Sequence, residues 1–406
     1  MEAVKDIVIV GAGIAGLTTA LGLHRLGIRS LVLESSDGLR TTGFALTTWT
    51  NAWQALDAIG IGEPLRQQHN QLFRSQTLTT SSGLSTAERQ FDAPGTQRGH
   101  EIRCVQRRIL LETLANELPG DTIRYSSKVV SIDGSGYLKL VHLSDGLILK
   151  AKVLIGCDGV NSAVAKWLGF KMPALVGRSA IRGSVYYEHS HGFEPKSLRY
   201  FDEGVRFGVV PCNDTSIYWF FTFSSSSQNE EMEESSAKMK QFVLGKLGKI
   251  PDNMRAVIEK TELDDIILSP LTFRPPWEIL WGSISKTNVC VAGDAFHPMT
   301  PDIGQGGCAA LEDGVILARC LGEALRDKQG MSSEEEYKRI EMGLQSYARE
   351  RRWRAFELIS TAHMVGYIQQ SNGRVLNFLR NRVLATFLAR LPLKIASYDC
   401  GKLRAS

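Results

Sequence analysis

Residues 4–34 read VKDIVIV-GAGIAG-LTTALGLHRLGIRS-LVLE, and this stretch decides the fold. A strand pattern, Val4–Val10, is followed at once by Gly11-Ala12-Gly13-Ile14-Ala15-Gly16, a GxGxxG turn. Helical spacing then runs over Ile14–Leu26, Gly27 stops it, and a second apolar run, Ser30–Leu33, ends at Glu34. The pattern predicts strand, tight turn, helix and parallel strand, a βαβ unit. Each glycine has a physical task in such a unit. Gly11 permits the turn, Gly13 lets backbone N–H groups approach a pyrophosphate at the positive helix end, and Gly16 allows close helix–strand packing. Ala15 sits beside them in the first helical turn. Glu34 can accept hydrogen bonds from ribose hydroxyls. Dinucleotide binding follows; the choice between NAD and FAD does not.

Working outward, Asn51–Ile59 and Arg107–Leu118 read as helices, and Thr122–Asp133, Tyr137–Leu143 and Lys152–Cys157 as strands. From about Ala180 to Phe223 the chain is β-rich and aromatic. Ser224–Ser236 is polar and acidic, expected as a loop before a helix at Ala237–Leu247. A buried strand returns at Asn288–Ala292, and helices dominate thereafter. Two flanking nucleotide-type pieces interrupted by a β-rich middle imply one domain split by another.

The chain has 406 residues, with 47 Lys plus Arg against 43 Asp plus Glu, a net charge of +4. This near-balance gives no electrostatic reason to expect a nucleic-acid partner. Seven cysteines without CxxC spacing argue against a disulfide framework or a zinc site and favour a reducing, cytoplasmic compartment. The strand pattern begins at the first residues, which leaves no room for a leader, and no run of 18 apolar residues exists to span a membrane.

Two later motifs choose the cofactor. One is Gly156-Cys157-Asp158-Gly159-Val160-Asn161-Ser162. The other is Gly293-Asp294-Ala295-Phe296-His297-Pro298, followed by Pro301-Asp302-Ile303-Gly304-Gln305-Gly306-Gly307 and Leu311-Glu312-Asp313. They resemble the DG and GD motifs of the class A flavoprotein monooxygenases, the family of para-hydroxybenzoate hydroxylase, salicylate hydroxylase and zeaxanthin epoxidase. The local wording is most similar to the plant branch, with secondary metabolism as its setting, and the likeness runs from residue 4 to about residue 355.

The resemblance implies an α/β fold: a Rossmann-like FAD-binding domain interrupted by a β-sheet substrate domain, with C-terminal helices. The expected division is 1–70, 101–175 and 276–330 for the FAD-binding domain, 71–100 and 176–275 for the substrate domain, and 331–406 for the helical region. It implies that Asp294 binds the ribityl chain of FAD, and that Pro301 and Gly304 to Gly307, Gln305 included, present backbone N–H groups to the flavin. It also implies that Arg107 contacts FAD and that Asp158 belongs to a motif shared by FAD and NAD(P)H. Arg40 is a further candidate. The chain departs from the family at Ala165, where an arginine is common, at Met299, Asp302 and Ile303 beside the flavin loop, and at Gly314, where alanine is more usual.

The implied reaction uses NAD(P)H and O₂ to hydroxylate or epoxidise a small aromatic or polycyclic substrate by way of a flavin C4a-hydroperoxide. Because the flavin carries the chemistry, no catalytic side chain and no metal is expected. Rival readings are a flavin oxidase or reductase that inserts no oxygen, and a non-catalytic nucleotide-fold binding protein of the prenyl-GTPase escort type. Alternation along Ile217–Phe223 puts Ile217, Trp219, Phe221 and Phe223 on one face and Tyr218, Phe220 and Thr222 on the other. The first face is expected to meet substrate, through Trp219 and Phe221 with Trp49. His297 is expected to fix a loop, Cys308 to pack, and Glu312-Asp313 to order the N-terminus of the helix that carries them. Arg374–Lys394 is a basic amphipathic stretch, expected to pack on the enzyme body in preference to lying on a membrane surface. The expected assembly is a monomer or weak dimer.

Overall fold

The computed structural model describes residues 4–40, 43–79, 85–91, 99–202, 204–224, 235–248, 250–326, 330–370, 391 and 393–403. Most of the 224–236 loop and most of the Arg374–Lys394 stretch fall outside the described residues.

The chain opens with β1 (Lys5–Val10), α1 (Ile14–Arg25) and β2 (Leu31–Leu33), then β3 (Ala45–Thr48), α2 (Thr50–Ala58) and α3 (Gly62–Arg66). Next come β4 (Arg74–Thr79), β5 (Ser85–Gln90), β6 (Arg103–Gln106), α4 (Arg107–Asn116) and β7 (Ile123–Arg124). The meander β8 (Val129–Ser135), β9 (Leu138–Leu143) and β10 (Ile148–Gly156) leads to α5 (Ala163–Trp167). The middle holds β11 (Ala174–Tyr186), β12 (Lys196–Asp202), β13 (Val205–Pro211), β14 (Ser216–Ser224), α6 (Ser236–Lys246), α7 (Asp252–Lys260) and β15 (Ile266–Phe273). The last part is α8 (Pro276–Trp281), β16 (Ser285–Lys286), β17 (Val289–Val291), α9 (Gly306–Ala324) and the long α10 (Ser333–Gln370).

The first sheet has the order β16-β17-β10-β1-β2-β7, with β9 and β8 folded onto the first half of β10. From β17 to β7 the neighbours are parallel. Such strands are covered on both faces, which is why Ile7-Val8-Ile9-Val10 and Val153-Leu154-Ile155 are unbroken apolar runs. Register places Leu33, Val10, Gly156 and Val291 side by side. The three glycine-bearing motifs and Glu34 therefore leave the sheet at one edge, the carboxyl end, where open α/β sheets bind ligands. α1 packs against α9 at very short range. A Cβ on Gly22 would lie 2.7 Å from the Ala318 Cβ, and one on Gly314 would lie 2.5 Å from the Thr18 side chain. Gly314 replaces the usual alanine because Thr18 fills its space.

The second sheet has the order β15-β11-β14-β13-β12-β4-β5 and is antiparallel except between β12 and β4. One face carries Ile181, Phe207, Val209, Ile217, Trp219, Phe221 and Phe223 into a separate core with Met239, Val243, Val257 and Ile258 of α6 and α7. This corrects the expectation for Trp219 and Phe221. Their face is sealed by two helices, Trp219 donates from Nε1 to Thr261 Oγ1 at 2.9 Å, and neither side chain reaches the cleft. The opposite face, with Tyr218, Phe220 and Thr222, looks toward the carboxyl end of the first sheet. Among the described residues, no helix is long and apolar enough to cross a membrane.

Candidate active site: a cleft between the two sheets

A cleft of about 780 Å³ lies between the carboxyl end of the first sheet and the Tyr218–Thr222 face of the second. Its size falls within the ~300–1,000 Å³ usual for ligand sites. Of the residues singled out in the sequence, Gly11, Gly13, Ala15, Glu34, Arg40, Trp49, Arg107, Asp158, Asp294, Pro301, Gly304, Gly306 and Gly307 line it. Gly16 and Gln305 stand behind the wall. A Cβ on Gly16 would collide with the Gly11 carbonyl oxygen at 2.0 Å, and the buried Gln305 side chain accepts from Asn51 Nδ2 at 2.9 Å.

Two helix N-termini open onto the cleft. α1 begins after Gly13 and α9 after Gln305; neither has a side-chain cap or an acid in its first turn. Their leading N–H groups and positive dipole ends are left for an anionic or carbonyl-bearing ligand. Gly11 has φ +102°, and a Cβ there would sit 2.4 Å from the Cys157 carbonyl oxygen, whereas one on Gly13 would meet nothing within 4 Å. The first glycine thus makes the turn and the second keeps space clear. Gly304 adopts the left-handed conformation, φ +64°, to end the turn Pro301–Ile303 and launch α9. Beside it the indole N–H of Trp49 is buried with no protein acceptor.

Glu34 accepts from the Ala12 N–H at 2.9 Å through one oxygen and from the Ser36 N–H at 2.9 Å through the other. A carboxylate offers about four lone-pair sites, so capacity remains. Asp294 is exposed to the cleft. Burial pushes the Arg107 guanidinium down, Asp294 opposes this, and Arg182 and Arg40 add to it. Asp158 accepts from Ser162 Oγ at 2.5 Å and the Ala163 N–H at 2.7 Å, capping α5. Burial raises its carboxyl, and these hydrogen bonds work against the rise.

The model of the FAD binding domain family matches residues 5–360. The chain belongs to the class A FAD-dependent monooxygenases. It is 55% identical to Monooxygenase 2 of Arabidopsis thaliana, over 99% of each chain. It is 35% identical to Monooxygenase 1 of the same plant, over 98% of this chain and 99% of the other. In fold it matches Klebsiella pneumoniae HpxO, solved with FAD and uric acid, at a TM-score of 0.81. That match has 22% identity and covers 97% of this chain and 96% of the other. The monooxygenase is an enzyme that binds FAD, which removes the non-catalytic escort reading. Its cleft fits that cofactor chemically: two uncapped helix ends suit the pyrophosphate and the ring carbonyls, and the open face of Gly13 admits close approach.

Sequence reading missed what holds the cleft together. Asp302, in the turn before Gly304, is buried and accepts two bonds from Arg178 at 3.1 and 2.8 Å and one from Arg206 at 3.3 Å. Burial pushes the Asp302 carboxyl up, but the two arginines outweigh it and hold the group below its usual range. This clamp ties β11 and β13 of the monooxygenase to its flavin-side loop. A second buried network joins α9 to α10. Arg351 bridges Glu312 at 2.7 Å and Asp313 at 2.6 Å, and Arg354 pairs with Glu312 at 2.9 Å. Asp313 also binds His297 Nε2 at 2.6 Å and accepts the Gly293 N–H at 2.7 Å. His297 is thus a loop-fixing partner. Glu312 and Asp313 act through these partners and not at the first turn of α9, which corrects that expectation. The Cys308 thiol is buried and pushed up to about 12, as befits a packing residue.

A signal for the cleft face was present. Period-two spacing sets Arg178, Ala180 and Arg182 on one face of β11 against Ile181 and Val185 on the other. Charged residues on one side of a strand mark the side that is not core.

Proposed function

We propose that the monooxygenase uses NAD(P)H and O₂ to hydroxylate or epoxidise a small aromatic or polycyclic substrate. The observation that carries this reading is the aromatic roof, Tyr218 and Phe220, facing the Gly304–Gly307 ledge across one cleft. A flat substrate fits between two flat surfaces. Relatives at 27% identity bear the name FAD-dependent urate hydroxylase, which supports a planar substrate.

In this reading Gly11 and Gly13 hold the pyrophosphate, Glu34 the adenosine ribose, and Asp294 the ribityl chain. Gly304 to Gly307 support the flavin ring, with Arg107 and Arg40 facing the phosphates. Bound FAD supplies the electron transfer and oxygen activation. The chain's own residues position and exclude. Phe220 lies over Gly208, where a Cβ would sit 2.4 Å from its ring, so the roof is fixed in height. Burial pushes the Tyr218 hydroxyl up to about 12, so it stays protonated and available as a donor. The aromatic rings of the roof help keep bulk water from the reacting face.

The test is FAD-loaded protein screened against phenols, N-heteroaromatics and polycyclic terpenoids. NADH and NADPH oxidation is followed together with mass detection of a one-oxygen gain. Reductant consumption that yields only peroxide across the panel overturns the reading in favour of an oxidase.

A further inference from the structure

We infer that the face built from residues 170–175 and 274–286 docks on an anionic lipid surface, with Trp277 and Trp281 entering the headgroup layer. The inference does not depend on which substrate fills the cleft.

Two segments distant in sequence form this face. Ala174 and Leu175 of β11 pair in register with Phe273 and Thr272 of β15. Just past that pairing, the buried Arg274 donates from Nη1 to the Lys171 carbonyl oxygen at 2.9 Å and from Nε to the Phe296 carbonyl oxygen at 2.9 Å. Its guanidinium lies over the Phe170 ring, 4.5 Å from the centroid, and a Cβ on Gly282 would meet the same ring at 2.5 Å. Phe170 and Arg274 are thus a shared floor that holds the two segments together. Four apolar side chains stand outward around it: Trp281 is 80% exposed, Leu175 70%, Met172 64% and Trp277 58%. Trp277 and Trp281 are four residues apart on α8 and so share one side of it, whereas Ile279 between them is fully buried. A single exposed apolar residue needs no explanation, but four gathered around one floor mark a contact surface.

Charge chooses the occupant. Residues 166–175 and 274–286 hold Lys166, Lys171, Arg274 and Lys286 against a single acid, Glu278. Arg274 already pairs with Glu278, at 3.4 Å. Lys166, Lys171 and Lys286 are exposed, and none of them makes an ion pair among the described residues. A second copy of the chain is a poor partner, because a two-fold contact through this face would set the same lysines against one another. A folded protein partner needs a matched pocket for each indole that stands this far out. A headgroup layer yields to them, and tryptophan suits that depth because its ring is apolar and its N–H polar. Each lysine held near an anionic membrane adds about fivefold in affinity, and salt weakens the attraction.

The experiment mixes the full chain, loaded with FAD, with phosphatidylcholine vesicles made with or without phosphatidylserine. Binding is read by co-sedimentation and by quenching of tryptophan emission with lipids brominated on the upper acyl chain. The natural protein binds the phosphatidylserine vesicles at least ~10-fold more tightly than the neutral ones, less so as salt rises, and its emission is quenched. The pair Trp277→Ser with Trp281→Ser loses at least ~10-fold on both lipids and loses the quenching. The pair Lys171→Gln with Lys286→Gln loses ~25-fold on phosphatidylserine alone, at fivefold for each charge. Tyr186→Ser, equally exposed at the other end of β11, stays within about twofold. All four side chains changed in the two pairs are exposed, so circular dichroism and FAD content stay at the natural level and separate lost docking from lost folding. Absence of binding to phosphatidylserine vesicles, or binding that survives both paired variants, overturns the inference. So does a dimer in light scattering that the tryptophan pair dissociates, which assigns the face to a second copy of the chain.

Discussion

Replacing Arg351 by methionine keeps most of the side chain's length and removes its charge from a fully buried site. Arg351 is 0% exposed at its side chain, as are both carboxylates it bridges. After the change Glu312 keeps Arg354 at 2.9 Å and Asn51 at 2.5 Å, and Asp313 keeps His297 at 2.6 Å and the Gly293 N–H at 2.7 Å. Each acid retains hydrogen bonds, but the shared countercharge is gone. Removing one member of a buried ion pair costs about 3–5 kcal/mol, because the charge left behind cannot return to water. That corresponds to a fall of roughly 150- to 4,000-fold in the folded-to-unfolded ratio, a large part of a usual stability of ~5–15 kcal/mol. Urea unfolding followed by far-ultraviolet circular dichroism and flavin fluorescence reads it. Arg349→Met, two residues away on the opposite, exposed face of α10, is the control and should lie within about 0.5 kcal/mol of the natural protein. Adding Asp313→Asn to Arg351→Met should recover part of the loss, because it removes the charge left without its arginine while Glu312 keeps Arg354. An Arg351→Met protein within about 1 kcal/mol of the natural one would refute the reasoning.

Gly11→Ala should weaken FAD binding by at least ~10-fold, since φ +102° and the 2.4 Å approach to Cys157 force the turn to move; Gly27→Ala, also at positive φ but with nothing within 4 Å, should cost ~1–2 kcal/mol of strain and leave FAD affinity alone. Fluorescence titration of the apoproteins compares the two. Phe220→Ala should raise KM for the substrate found in the screen by about tenfold or more at unchanged folding. Trp219→Phe should leave KM alone and cost ~1–2 kcal/mol of stability through the lost bond to Thr261; the reverse pattern would restore the other face of β14 as the substrate wall. Asp302, Glu312 and Asp313 are all held below the ordinary carboxylate range. Their contribution is present above pH ~4 and drains away as the pH falls through their folded values. Stability measured from pH 7 down to 2 should therefore drop on the acid side, and Asp302→Asn should start lower and fall less steeply.

The centre of the first sheet was legible because β1, β10 and β17 are covered on both sides, so Ile7–Val10, Val153–Ile155 and Val289–Ala292 read as unbroken apolar runs that lead into glycine. Glu34 and the three glycine-bearing motifs were legible for the same reason: each stands directly at the end of such a run. The roof was legible only as a strand. β14 carries aromatics on both faces, and what decides between them is the docking of α6 and α7, which lie later in the chain. The Asp302 clamp joins residues 124 and 96 positions apart. A sequence read in short windows shows Asp302 only as an odd residue in a loop. Arg351 and Arg354 lie 38 to 42 positions from the acids they neutralise, on a helix whose surface otherwise looks evenly charged. Glu312-Asp313 therefore looked like a feature of its own helix.

The side-by-side exit of Leu33, Val10, Gly156 and Val291 has a consequence for biosynthesis. The strands that make this edge come from the beginning, the middle and the last third of the chain, so the cleft cannot be completed until residues 304–307 have left the ribosome. At about 5–20 residues per second, the opening βαβ unit waits tens of seconds for its last neighbour. Until then its apolar strand edges are open to wrong pairing, and chaperone dependence together with late cofactor loading is the expected pattern of expression.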